Sequence, residues 1–527
     1  MASYLHPGVY VEEVPGARPI EGVPTNIAAF IGYTMAGPVN KPVRITSWKE
    51  YMEKFGTLTW NRFTSWAVYT FLREGGATAY IVNAVNNGAK GAAATGDINF
   101  TATTAGAWAN DFAIGIVNKD DVSFDVQILG AKSGDPTSLN QMLVNAYIKS
   151  NKSPASVLNA DLFVLESYEG FTATDLISQT LADGTVVQSG IEQRINGVSL
   201  FVTVTLGDAP VIPQGGVTAM AGGSDDSNPS FTNAIGSLDP VTGFSIMALP
   251  DAAYYTQYAS GAVSNSETTK GFISELLGQA AEWKRSFMAI DPPYGFDPSG
   301  VTGFKTGSGT NVGPPLNSTY GALYYPWVEF RNPITGKFVW LPPSGMMLGR
   351  YAATDNTAGV GKAPAGVEDG RLLSASGVAF DVSPVQQDEL NPNGIDAIRR
   401  IMNYGICIYG ARTVSLDPEW KYVNVRRLAI FIENSLYNAL QWAVFEPNGP
   451  NTWARVVRDV SAFMTGLWTA GQLFGNAAAE AFFVVCDSSN NPPDQRDLGR
   501  MFIDVGFAPL KPAEFVIISL SQMVQAA

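Results

Sequence analysis

The sequence predicts a multidomain chain of α+β / α/β class, with a β-rich insertion and extended β-prone segments at both ends. Three observations predict it. At 527 residues the chain exceeds the roughly 100–200 residues of one ordinary domain. A β-α-α-β order before residue 90 returns as α/β character after residue 230, with a Thr-, Val-, Gly- and Asp-rich stretch between them. The last 150 residues hold two long helical patterns followed by short apolar runs.

Residues 1–24 read as an extended arm. Pro7, Gly8, Pro15, Gly16, Pro19 and Pro24 forbid a long helix, and Val9–Val14 between them is β-prone. Ile27–Gly32 reads as a buried strand. Trp48–Phe55 and Trp66–Arg73 read as short helices, the second stopped by Gly75-Gly76, and Ala79–Val82 starts the next strand. Residues 96–222 carry short alternating runs, such as Ile98–Phe100, Ser123–Val126, Leu162–Leu165 and Leu200–Val204. Turn signals separate them, the pattern of an inserted sandwich or barrel. Phe244–Leu249 and Phe287–Ile290 read as strands around a helix over Phe272–Arg285. Residues 295–320 read as a loop, and Tyr324–Phe330 and Phe338–Leu341 as strands flanking a Gly336 turn. Asp417-Pro418 reads as a helix start, since Asp can cap and Pro suits the first helical position. Apolar residues from Val425 to Ala443 keep helical spacing until residues 446–450 break it, and a second helix runs from Thr452. Phe482–Cys486, Phe502–Phe507 and Glu514–Leu520 then read as strands.

Composition narrows the function. Hydrophobic residues make up 46% and charged residues 15%, against a usual ~25% charged, which excludes global disorder and suggests subunit interfaces. The net charge of −14 (33 basic, 47 acidic) supplies no uniform positive field, so no nucleic acid partner is expected. The single histidine, His6, argues against zinc sites and His-dependent catalysis. Cys407 and Cys486 lie in apolar runs and read as buried thiols of a chain folded in a reducing cytoplasm. No signal-peptide pattern and no run of 18 apolar residues occurs, so no direct membrane insertion is expected.

The search for chemistry returns little. Gly359–Ala363 and Gly303–Thr306 approach a phosphate loop but lack its hydroxyl or its second glycine. GxGxxG and GxSxG are absent. The acidic pairs Glu12/Glu13, Asp225/Asp226 and Asp388/Glu389 read as solvated loop. No catalytic, cofactor-binding or metal residue is therefore expected, and the chain is read as no enzyme. The positive finding is at the ends. Pro509 and Pro512 disfavour a simple hairpin between the last two strands. A free strand seeks a sheet edge, either within its own chain or on another subunit.

Several segments then resemble the sheath proteins of contractile phage tails and related injection systems. They are Tyr4–Glu13 and residues 27–56, AIDPP (289–293), ALYYPWVEF (322–330), PPSGMMLGRYAATD (342–355) and GKAPAG (361–366). They continue with residues 408–436, QWAVFEPN (441–448), LFG (473–475), EAFFVVCD (480–487) and VGFAPLKPAEFVI (505–517). Their order spans the whole chain, with weak matching inside 96–222.

The resemblance implies an inner α/β domain built from both chain ends (25–95 with 371–511) and a middle α/β domain (223–370). It also implies a β-rich inserted outer domain (96–222), an N-terminal arm (1–24) and a C-terminal arm (512–527). It implies a structural subunit that polymerises with itself as stacked hexameric rings around an inner tube and contracts without nucleotide hydrolysis. The other implied partners are the tube protein and the baseplate and terminal cap proteins; no cofactor is implied. Arm strands would be Val9, Tyr10, Val11, Glu12 and Val14, with Phe515, Val516, Ile517, Ile518 and Leu520. Their acceptor sheet would hold Phe482, Phe483, Val484, Phe502, Ile503 and Val505. Candidates for tube contact are Lys421, Arg426, Arg427, Arg455 and Arg458, several of which can instead pair with Glu419, Glu433 or Asp459. The chain would assemble in a bacterial cytoplasm and act in a phage tail or phage-like particle released by lysis. The competing readings are a static, non-contracting tail or surface assembly protein and a soluble hydrolase using scattered carboxylates.

Overall fold

The computed structural model describes residues 20–35, 37–58, 62–85, 88–131, 162–180, 186–224, 230–255, 266–309, 312–333, 336–515 and 517. The chain divides into two compact units, residues 24–427 and residues 1–23 with 428–527.

The larger unit begins with β1 (Ala28–Gly32), β2 (Val43–Ile45), α1 (Trp48–Phe55), α2 (Phe63–Glu74) and β3 (Ala79–Asn83). Ser47 caps α1 by accepting from the Glu50 N–H at 3.2 Å, and Gly75 ends α2 in the left-handed region at φ 119°. An antiparallel insertion follows: β4 (Ala92–Thr95), β5 (Ile98–Ala102), β6 (Phe112–Asn118), β7 (Ser123–Ala131), β8 (Leu162–Thr172), β9 (Val202–Leu206) and β10 (Gly216–Ala219). Its sheets, ordered β9-β5-β4 and β10-β6-β7-β8, share one core that contains Phe100, Phe112, Phe124, Phe171 and Phe201. The ends of the insertion bond to each other, Ser224 N–H to Ala89 O at 3.0 Å and Ala92 N–H to Ala221 O at 2.8 Å.

The α/β layer then resumes with β11 (Ile246–Ala248), α3 (Ser266–Trp283), β12 (Phe287–Ile290), α4 (Pro298–Thr306), β13 (Gly321–Tyr325), β14 (Val328–Arg331), β15 (Phe338–Leu341), α5 (Ser344–Ala358), β16 (Ala375–Val378), β17 (Ile395–Ile401) and β18 (Gly405–Ile408). An eight-stranded sheet runs β2-β3-β1-β11-β12-β13-β17-β18, parallel from β3 to β17 with an antiparallel strand at each edge. Every residue of β1, β11, β12 and β13 is buried, which explains their continuous apolar runs. On one face α2 crosses α5 at small residues: a Cβ at Gly345 would lie 2.4 Å from Ala67 Cα, and one at Gly349 would lie 2.5 Å from Glu74 Cβ.

Helix α6 (Val423–Ala439) contains the division between the units. In the smaller unit, Val23 N–H donates to Ser435 Oγ at 3.1 Å and Gly22 lies against the Phe431 ring, tying residues 22 and 23 to α6. There α7 (Pro450–Thr469) buries Val456, Val460, Met464 and Leu467 at helical spacing, and β19 (Phe482–Val485) pairs antiparallel with β20 (Asp504–Phe507).

The structure departs from the sequence expectations in five places. Residues 295–320 are not all loop: Asp297 caps α4 by accepting from Gly300 N–H at 2.7 Å, with Pro298 at its first position. Tyr324–Phe330 is divided between β13 and β14. The helix expected from Asp417 starts at Val423, because Lys421 O accepts from Thr413 N–H at 2.8 Å and Tyr422 bridges Arg412. The strand expected over Phe502–Phe507 starts at Asp504 rather than Phe502, whose N–H donates to Asn491 Oδ1. The grouping of 25–95 with 371–511 also differs from the compact division: β1 and β3 join through β11, β12 and β13 to β17, so residues 25–95 and 371–427 lie in the larger unit while 428–511 lie in the smaller one.

Candidate assembly surface

The β19–β20 pair has two open sides. Its register sets Phe483 opposite Gly506 and Val485 opposite Asp504, and Ala508 N–H continues the ladder to Ala481 O at 2.8 Å. Backbone groups alternate sides along an antiparallel strand, so those of Phe482 and Val484 point away from β20 and those of Val505 and Phe507 away from β19. Among the described residues the Phe482 N–H donates to Ala478 O, and no hydrogen bond joins the remaining outward-pointing groups to a further strand. The Phe483 ring lies over Gly506, where a Cβ would come within 2.1 Å of it, yet remains 58% exposed. Phe474, Leu498 and Phe502 are also exposed.

The turn between the strands is braced by side chains. Asn490 Nδ2 donates to Val485 O at 3.0 Å, Asn491 Nδ2 donates to Phe502 O at 3.0 Å, and Asp487 Oδ1 accepts from Ser489 N–H at 2.7 Å. Sequence reasoning missed these residues, although Asn-Asn-Pro-Pro at 490–493 is a turn signal. The acceptor residues Phe482, Phe483, Val484 and Val505 therefore lie on the open pair, while Phe502 and Ile503 precede it. Of the arm residues, Phe515 and Ile517 are highly exposed. Val9, Tyr10, Val11, Glu12, Val14, Val516, Ile518 and Leu520 lie outside the described residues, as does His6.

Two of the five basic candidates are buried in the larger unit. Arg426 stacks on Tyr320 and Trp420 with its carbon centre 4.0 and 4.6 Å from the rings, and hydrogen-bonds the Tyr320 hydroxyl. Arg427 makes a two-pronged pair with Asp355 at 3.0 and 2.6 Å and donates to Thr25 O at 3.1 Å. Burial withdraws both from any partner surface, a correction to the expectation. Lys421 lies half-buried over Tyr422, Arg455 packs on Trp442 at 3.7 Å, and Arg458 stays exposed and pairs with Asp459.

The carboxylates near the carboxyl ends of the parallel strands are used internally. Asp251 accepts from Tyr33 N–H at 2.7 Å and Thr64 Oγ1 at 2.6 Å, and Asp291 accepts from Ser344 N–H at 2.8 Å at the start of α5. Cys407 and Cys486 are buried free thiols, as the sequence predicts, and burial pushes both up from the usual thiol range. Among the described residues no group of three His, Cys, Asp or Glu side chains could hold a metal, and no helix is long and apolar enough to cross a membrane.

The larger unit is thus an α/β fold with an antiparallel insertion, and the smaller unit carries an open strand pair. Comparison adds to this: residues 415–522 match the phage tail sheath C-terminal domain family, and the chain is similar to tail sheath proteins. The tail sheath protein of Vibrio phage KVP40 is 23% identical over 357 residues, covering 62% of this chain and 51% of the phage protein, so the chain spans about half of that relative. That of Burkholderia phage BcepMu is 22% identical over 528 residues, covering 97% and 95%. The fold is similar to a sheath tail protein of Desulfitobacterium hafniense (TM-score 0.58, 12% identity, 91% and 93% covered). It is also similar to the sheath of an extracellular contractile injection system, PVC, in its contracted state (TM-score 0.55, 20% identity, 100% and 99% covered).

Proposed function

We propose that this chain is the structural subunit of a contractile sheath. It polymerises as stacked hexameric rings around an inner tube, in a phage tail or phage-like particle, and contracts without nucleotide hydrolysis. The observation that carries the reading is the two-stranded sheet of β19 and β20 with both edges open. The β20 edge offers four main-chain groups and the β19 edge three, and three to four added hydrogen bonds contribute about 1.5–6 kcal/mol at 0.5–1.5 kcal/mol each. The N-terminal arm at Val9–Val14 and the C-terminal arm at Phe515–Leu520 supply strands of the length these edges take. Exposed Phe515 and Ile517 support the C-terminal half of this exchange.

On this reading no fuel is needed: the extended lattice is metastable, and contraction exchanges one packing of the subunits for another while the arms stay linked. Exposed Arg458, with Arg455 and Lys421, remains for the tube face. Electron microscopy of the protein expressed with and without residues 1–20 tests it. The full chain should form tubes that shorten after a mild chaotrope, and the truncation should leave folded, unlinked subunits. Normal contractile tubes from the truncation would remove the arm mechanism, and tubes of one fixed length would favour a static assembly.

A further inference from the structure

Within the smaller unit, the end of α6, the turn after it and α7 enclose, with residues 20–23, a cavity of about 550 Å³. Val23, Leu440 and Trp442 give it apolar walls, while Glu21, Asn438 and Asp459 line its polar side; no lysine or arginine lines it. Asp459 is 2% exposed. Its Oδ1 accepts from Arg458 Nε and Nη2, each at 3.1 Å, but its Oδ2 has no hydrogen-bond partner. A buried carboxylate oxygen without a donor is destabilising, because the lost hydration is not replaced. Arg455, one turn earlier on α7, stacks its guanidinium 3.7 Å from the ring of Trp442, a wall of the cavity, and leaves Asp459 Oδ2 unbonded.

We infer that this cavity is a binding site for an alkyl cation, an alkylguanidinium or alkylammonium group. The alkyl stem would lie against Val23, Leu440 and Trp442, and the cationic head would donate to Asp459 Oδ2 with Glu21 near the mouth. The length of such a group suits a pocket with one apolar side and one acidic side. Two sources carry this chemistry: an arginine or lysine side chain of another polypeptide, and a free polyamine.

Agmatine tests the site by calorimetry on the full-length, unassembled protein at low salt. Binding should weaken at least tenfold in Asp459→Asn and be lost in Leu440→Trp, which fills the cavity and leaves the carboxylate in place. Repeating the titration with spermidine, and adding agmatine during tube assembly, separates the sources. Agmatine that blocks assembly identifies a protein side chain; spermidine that binds with the same losses while assembly proceeds identifies a polyamine. Failure of agmatine to bind the wild type, or equal binding by both variants, overturns the inference. Tube formation itself is a separate readout, so this failure is distinguishable from failure of the sheath reading.

Discussion

Two buried ionisable residues in the larger unit give opposite pH signatures. Lys270 on α3 is fully buried, donates to Gly313 O at 3.3 Å and lies 4.9 Å from the Phe304 ring. Burial lowers its amine from 10.5 to about 8; Glu267 opposes the shift and Lys305 adds to it. The folded state therefore binds the proton less tightly than the unfolded chain does. The penalty is full below about pH 8 and disappears as pH rises toward 10.5. Lys270→Met should raise the melting midpoint at pH 7 by about 2–4 °C, the response of a large domain to roughly 1 kcal/mol. The gain should shrink toward pH 10; an equal gain at both pH values would contradict the assignment. Asp291 has the reverse sign. Burial raises it from 3.8 to about 7, against the opposing hydrogen bonds from Ser344. Native stability should fall as pH climbs from 4 to 7. Asp291→Asn keeps a carbonyl acceptor for the Ser344 N–H at the start of α5, so it should flatten that fall. Thermal melts of both proteins across this range check it.

At the scale of elements, the crossing of α2 and α5 depends on side chains that are absent. A Cβ on Gly349 would sit 2.5 Å from Glu74 Cβ and 2.7 Å from Phe71 O, and backbone cannot rotate aside. Gly349→Ala should destabilise the larger unit by about 1–3 kcal/mol by forcing the helices apart, seen as a lower urea midpoint; an unchanged midpoint would mean that the crossing is not tight. This crossing also shows what the sequence could and could not reveal. Trp48–Phe55 was legible because a Ser cap precedes a one-sided apolar pattern. Helix α5 was not, since Ser344–Gly349, Tyr351, Ala352 and Thr354 are all buried and leave little apolar period to read. The same limit explains Arg426 and Arg427, whose charges suggest a solvated face although Tyr320, Trp420 and Asp355 enclose them. The acceptor strands Phe482–Val485 and Asp504–Phe507 were legible nearly to their ends, because each is short, apolar and bounded by turn residues. The unpaired Asp459 oxygen was not: a cavity beside Ile20–Val23 is a tertiary fact.

At the scale of the whole molecule, the insertion is attached at one point. The Ala89–Ser224 and Ala92–Ala221 bonds close it like the neck of a loop, and Phe100, Phe112, Phe124, Phe171 and Phe201 fill a core of its own. The eight-stranded sheet takes strands only from before and after it. The insertion does touch its base: Met35 packs on its core, and Thr104 donates to Met35 O. Replacing residues 90–223 by a short Gly-Ser linker should therefore leave a folded protein with its near-native circular dichroism per residue in the helical bands. Its melting midpoint should be lower by a few degrees, from exposure of Met35, at roughly 1.5–3 kcal/mol for one buried side chain. Because β19 and β20 lie in the other unit, the excised chain should also keep the open strand edges on which the proposed polymer depends. Tubes of reduced outer diameter in micrographs would place the insertion outside the mechanics of assembly. A folded chain that forms no tubes would make the insertion part of the lattice. An unfolded chain would show that the neck is not where the two folds separate.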